Sequence, residues 1–175
     1  MPEASEKMSA DSLKRIMAEE DFSNIVYKDS RGNETIGYGT TVKSILDALK
    51  PGNRLREKVV SIVGDTDESK LRAIGISEEQ AKELFNIFFD EAVKDAKSIV
   101  GEETFTKLSP ARQQVLVDLC YNIGKGKAKE FKNMIKAIKD ENYAEAAYEL
   151  MNSLRATQVP LRTLRDAWLM YHGTF

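Results

Sequence analysis

Glu20, Asp29 and Thr35 combine residue types and a spacing that can split a bond with water: eight residues separate the two acids and five separate Asp29 from Thr35. One carboxyl that stays protonated can donate to a leaving oxygen, while a second, ionised carboxylate beside a hydroxyl can hold and polarise water. Glu20 has the setting for the first role. Projected on a helix, it stands above Leu13 and is flanked by Ile16 and Met17, which places a carboxylate on an apolar face. Such a group must find a cation or give up its charge, and desolvation raises its pKa in the direction a general acid requires. The alternative, in which Glu20 frays into solvent beside Lys14 or Arg15, stays open on position alone. Asp29 and Thr35 could approach each other across a turn. The plainer reading is that Asp29-Ser30 starts this turn through side-chain to backbone hydrogen bonds.

The elements that must carry these residues are legible nearby. Leu13, Ile16 and Met17 recur at helical spacing behind capping residues at Asp11 and Ser12, which predicts a short amphipathic helix to about Asp21 with a loose tail before it. Ile25 to Asp29 favours a strand, Ser30-Arg31-Gly32-Asn33 a turn, and Glu34 to Thr40 a returning strand, together a β-hairpin. Gly37 and Gly39 weaken that second strand and mark a bulge or a close backbone approach. Glu19 and Asp21 lie off the apolar face and read as solvated charges.

Farther on, Ile45, Leu46 and Leu49 predict a helix stopped by Pro51-Gly52, with a further short helix before Ile74. Ser77 and Gln80 form a capping box ahead of an apolar face from Leu84 to Val100, so a long helix runs to Gly101 and spans roughly 30 Å at a rise of about 1.5 Å per residue. Ser109-Pro110 opens another helix, with Val115, Leu116, Leu119 and Cys120, that Gly124-Lys125-Gly126 closes. Three more follow, carrying Phe131 to Ile138, Ala146 to Leu154, and Leu161 to Leu169 after Pro160. The fold class expected is α+β in one domain: a hairpin lobe over about 12–75, a linking helix over 77–100 and a helical lobe over 103–175.

Composition narrows the chemistry. The 26 basic and 28 acidic residues leave a net charge of -2, which gives no support to nucleic acid or an anionic membrane as the main partner. One cysteine and one histidine leave no internal disulfide framework and point to metal-free chemistry without a cofactor. No apolar stretch is long enough to span a membrane, and Met1 to Lys7 lacks the basic start and apolar middle of a signal peptide, so the chain reads as made and folded in a cytoplasm.

The string from Glu20-Asp21-Phe22 to Tyr27-Lys28-Asp29, followed by Thr35-Ile36-Gly37-Tyr38-Gly39, resembles the Glu-Asp-Thr signature of phage-type lysozymes, the muramidases that tailed phages use as endolysins or virion lysins. Ile76 to Ala81, Tyr121-Asn122-Ile123-Gly124 and Gln158-Val159-Pro160-Leu161-Arg162 extend the resemblance toward the last helix. It implies a lysozyme-like fold, cleavage of bacterial peptidoglycan without a cofactor, and a monomer unless the protein is a virion component. It also implies Glu20 as general acid, Asp29 as base or charge stabiliser and Thr35 as a water-positioning hydroxyl. Arg162 is implied as the partner of Glu20, and Asn122, Gln158 and Gly39 as sugar contacts. An inverting reaction calls for carboxyls about 6.5–9.5 Å apart. The chain departs from the family pattern at three places: Thr40 replaces a usual histidine, Asp21 a common glycine, and the pair Arg155-Ala156 the usual aromatics.

The remaining features have plain readings. Lysines 125, 127, 129, 132, 136 and 139 read as a solvated face, Cys120 as a core residue, and Trp168 with Leu164 and Leu169 as packing between the last helix and its neighbours. Two other functions compete: a non-catalytic glycan-binding or virion structural module with this fold, and a nucleic-acid binder using Arg155, Arg162 and Arg165.

Overall fold

The computed structural model describes residues 11–175, and the tail expected before the first helix lies outside them. The architecture is α+β, a small antiparallel sheet followed by helices. The described part of α1 covers residues 11–18. Strands β1 (Phe22–Lys28), β2 (Glu34–Tyr38) and β3 (Thr40–Thr41) follow in sheet order β1-β2-β3. Then come α2 (Val42–Ala48), α3 (Arg56–Val63), α4 (Glu68–Leu71), α5 (Glu78–Val100) and α6 (Glu102–Lys107). The chain ends with α7 (Pro110–Ala128), α8 (Lys132–Lys139), α9 (Tyr143–Met151), α10 (Leu154–Gln158) and α11 (Pro160–His172). Among the described residues no helix is long and apolar enough to cross a membrane.

The described residues divide into two compact units, Leu13–Phe88 and a second made of Phe89–Phe175 with residues 11 and 12. In the first, Ile36, Ile45, Val59, Leu71, Ile76, Ala81 and Leu84 form one buried cluster. Burying them supplies the main stabilising term, roughly 1.5–3 kcal/mol for each large aliphatic side chain. The hairpin lies against it through β2, whose Thr35, Ile36 and Gly37 are all buried. Its register pairs Tyr27 with Thr35 and Lys28 with Glu34, then shifts so that Ser23 meets Gly37. The irregularity therefore sits in β1, where Asn24 and Ile25 turn to Gly75 and Ile76; the Ile76 amide donates to the Asn24 carbonyl at 2.9 Å.

Capping explains the helix starts. The Ser77 amide donates to Gln80 Oε1 (2.9 Å) and the Gln80 amide to Ser77 Oγ (3.1 Å), the expected reciprocal box. Ser109 Oγ accepts from the Arg112 amide and Pro110 occupies the first turn, where its missing N–H costs nothing. In the second unit α7 is the central helix: Gln113 to Cys120 are buried without interruption. A helix surrounded on every side must find an internal partner for each polar group it carries, and Asp118 is one such group.

Several expectations need correction. The segment before Ile74 holds two short helices, α3 and α4. The six-residue α6, with Phe105 as its buried anchor, has too short an apolar pattern to be seen. Helical geometry resumes after Gly124, whose φ of 81° and ψ of 158° make a kink where a stop was expected. The helix expected through Leu154 ends at Met151, and Leu154 opens α10 with 72% of its surface exposed. Trp168 does not pack between helices: it is 49% exposed and shares an outward stripe with Leu161, Leu164 and Tyr171. The inward face of α11 is instead Arg162, Thr163, Asp166, Ala167 and Met170.

Candidate active site

Helix α1 closes through the Glu19 amide on the Ile16 carbonyl (3.0 Å) and the Glu20 amide on the Met17 carbonyl (3.1 Å), so Glu20 emerges just past the last turn. Ile16 below it is buried, Glu20 is half-buried, and Glu19 and Asp21 are exposed, as the helical projection predicts. The position of the carboxylate is set by Gly39. A Cβ added there would stand 2.3 Å from Glu20 Oε2 and 2.5 Å from its Cδ, so only a residue without a side chain lets the carboxyl lie against the β2–β3 corner. The backbone agrees, with φ at +73° for Gly39. Gly37 serves packing instead, since its Cβ would come within 3.1 Å of Ala81 Cβ and its absence lets the strand approach α5 closely. The Gly-x-Gly pair is thus one packing glycine and one that receives the acid.

Asp29 and Thr35 meet through a residue that sequence reasoning passed over, Asn33. Asp29 Oδ1 accepts the amides of Arg31 (2.9 Å) and Asn33 (2.8 Å), and its Oδ2 accepts the Asn33 side-chain amide at 3.3 Å. Arg31 Nη2 lies 3.7 Å from the same oxygen. The turn-forming reading of Asp29 is therefore correct, and it also fixes the carboxylate in place. Thr35, buried at 2% exposure, donates its hydroxyl proton to the Asn33 carbonyl at 3.0 Å.

Tyr27 is the second residue missed. It is the register partner of Thr35, so the two share one face of the sheet, and it stands two positions before Asp29 at the start of the turn. Its phenol is pushed up by burial and by the negative charges of Glu20, Asp21 and Asp29. The hydroxyl therefore stays protonated as a donor in the field of both candidate acids. The two-residue period was the signal that could have found it.

Residues 17–166 match the model of the family described as phage lysozyme. The chain belongs to the phage lysozyme family. The chain is 28% identical over 151 residues to "Probable T4-type lysozyme 2" of Dictyostelium discoideum, an alignment covering 85% of this chain and 86% of that one. It is 29% identical over 150 residues to "Probable T4-type lysozyme 1" of the same organism, with the same coverage of both chains. Lysozymes are glycoside hydrolases acting on peptidoglycan, and Glu20, Asp29, Thr35, Gly39, Asn122, Gln158 and Arg162 all fall within the matched stretch.

The second unit of this lysozyme-family chain holds the other candidates. Asn122 is half-buried near the kink of α7, and Gln158 is exposed at the end of α10. Arg162 is buried on α11 and clasps Asp118: its Nε lies 3.1 and 3.0 Å from the two carboxylate oxygens and its Nη2 also donates to Oδ1. Arg155, which stands where the family pattern has an aromatic, joins the same carboxylate through Nη2 at 2.9 Å. Its Nη2 also lies 2.9 Å from Asp166 Oδ2. Burial acts to raise Asp118, but Arg162 first, then a hydrogen bond from Asp166 and the charge of Arg155, hold it down to about 2. Asp166 moves the other way, raised well above its ordinary value by burial and by the charge of Asp118. The two carboxylates of the network thus shift in opposite directions. Asp118 lies within the apolar run Val115 to Cys120, and that break in pattern was the available sign of it.

Other expectations resolve simply. Thr40, in the place of the family histidine, is buried, and its Oγ1 has no hydrogen-bond partner among the described residues. Cys120 is a core residue whose thiol burial pushes up to about 12. The lysine run is a solvated face, with Lys127, Lys129, Lys132, Lys136 and Lys139 all exposed. Two of the three arginines that a nucleic-acid binder would use, Arg155 and Arg162, are buried on Asp118.

Proposed function

We propose that this chain is a muramidase that hydrolyses the β-1,4 bond between N-acetylmuramic acid and N-acetylglucosamine in bacterial peptidoglycan. One observation carries the reading: the half-buried carboxyl of Glu20 is seated against Gly39, in the unit whose hairpin turn holds Asp29. Glu20 protonates the glycosidic oxygen, Asp29 acts as base or charge stabiliser, and Thr35 holds the attacking water with a lone pair, its proton being given to Asn33. Roles for Gly39, Asn122 and Gln158 as sugar contacts, and for Arg162 as partner of the acid, belong to the same proposal and rest on the family resemblance. Release by a holin or delivery within a virion would bring the enzyme to its substrate.

The second reading, a non-catalytic glycan-binding module, is favoured by one feature: the Asp29 carboxylate and the Thr35 hydroxyl are both engaged by the turn. Clearing of purified cell walls by the wild type and by Glu20→Gln separates the two. The hydrolase reading expects clearing by the wild type alone. Equal clearing by both removes Glu20 as the acid, and clearing by neither selects the binding module.

A further inference from the structure

The buried charge network of the second unit has a form that stability alone does not account for. Asp118, Arg155 and Asp166 are 2%, 3% and 5% exposed in a core otherwise built from Leu116, Leu119, Met134, Leu150 and Met170. Ionic groups placed so deep gain little, because desolvation consumes most of the Coulomb attraction, and well-packed apolar residues do as well or better. The network's geometry, in contrast, is specific. Arg155 spreads its three nitrogens over two helices: Nε donates to Asn122 Oδ1 at 3.0 Å, Nη1 to Thr163 Oγ1 at 3.2 Å and Nη2 to Asp118 Oδ2 at 2.9 Å. Asp118 in turn spans Arg162 with both oxygens.

We propose that Arg155 and Asp118 are positioning residues for the substrate contacts proposed for the second unit, gripping Asn122 and Arg162 from their buried side and fixing how those two side chains are presented. The inference rests on the function proposed above, which gives Asn122 and Arg162 their roles. An arginine Nε can only donate, so its bond to Oδ1 decides which end of the Asn122 amide is carbonyl and turns the NH2 donors away from Arg155. Asp118 likewise decides the plane of the Arg162 guanidinium, since a carboxylate that accepts from both Nε and Nη2 leaves it a single orientation. A lysine at 155 would keep the charge balance with Asp118, but its single ammonium cannot reproduce a planar three-way fork.

The test is steady-state hydrolysis of soluble peptidoglycan fragments by the full-length wild type, Glu20→Gln, Arg155→Lys and Asp118→Asn, below each variant's melting temperature. Loosening Asn122 weakens substrate binding, so Arg155→Lys is expected to raise KM by about tenfold, within what a displacement of 1 Å can cost. Asp118→Asn is expected to lower kcat about tenfold through Arg162. A purely structural role would reduce the folded fraction and the apparent kcat while leaving KM alone. A folded Arg155→Lys with wild-type KM overturns the proposal. If the charge variants do not fold, the near-isosteric Thr163→Val, which removes one acceptor of the fork, decides the matter: a KM at least doubled supports positioning, and an unchanged KM refutes it. Hydrolysis by the wild type that Glu20→Gln abolishes, together with an unchanged KM in the folded variants, overturns this inference alone. Absence of hydrolysis in the wild type overturns it and the proposed function together.

Discussion

Replacing Gly39 by alanine probes the seat of the acid more sharply than replacing the acid. The cost has two parts. An L-residue held at φ +73° loses about 1–2 kcal/mol in the left-handed region, offset by about 0.4–1 kcal/mol from the stiffer unfolded chain. The net backbone term is therefore about 1 kcal/mol, a fall in Tm of about 2–4 °C for a protein of this size. The second part falls on Glu20. The new methyl would stand 2.3 Å from Oε2, so ordinary contact at about 3.5 Å requires the carboxyl to retreat by about 1 Å. A displacement of that size at a reacting group costs on the order of 100-fold in rate. Gly64→Ala is the control, because Gly64 has nearly the same φ, +79°, and nothing within 4 Å of its added Cβ. Both variants are expected to show the backbone cost in Tm by circular dichroism, while only Gly39→Ala loses wall-clearing activity by about 100-fold. Wild-type clearing by folded Gly39→Ala, or equal loss in Gly64→Ala, would count against the proposal that Glu20, seated on Gly39, acts as the acid.

Three further outcomes follow from the second unit. Asp166 has its carboxyl raised by burial and by Asp118, so its contribution to stability is complete below its ordinary value and is lost as pH rises through the raised one. Asp166→Asn, which cannot ionise, should match the wild type in acid and gain on it in Tm as pH climbs toward neutrality; a pH-independent difference between the two would show that Asp166 is already ionised. Asp118 has the opposite sign: lowered from 3.8 to about 2, it adds about 2 kcal/mol above the ordinary value, lost as pH falls through that window. Urea melts at a series of acidic pH values should show that loss in the wild type and not in Asp118→Asn. Cys120, buried on α7 with its thiol up near 12, should react with an aromatic disulfide reagent only in denaturant. Rapid modification of the native protein would contradict the packing around α7.

The sequence by itself determined the features that are local in the chain. The capping box at Ser77 and Gln80, the opening at Ser109-Pro110, the hairpin around Asp29 to Asn33 and the apolar face beneath Glu20 depend on residues a few positions apart, where helical and strand periods make the geometry readable. The order of Glu20, Asp29 and Thr35 was legible for the same reason. Tertiary structure decided what meets what across long intervals. That Gly39 receives the Glu20 carboxyl depends on the return of β2, and the joining of Asn122, Asp118, Arg155 and Arg162 depends on α7, α10 and α11 packing together. Helix α11 shows why hydrophobicity misled: Leu161, Leu164, Trp168 and Tyr171 make the more apolar stripe, yet the opposite face is buried. Arg162 and Asp166 can enter the core only because Asp118 and Arg155 wait there as partners, and a partner more than forty residues away in sequence, as Asp118 is from Arg162, leaves no trace in the periodicity of the helix itself.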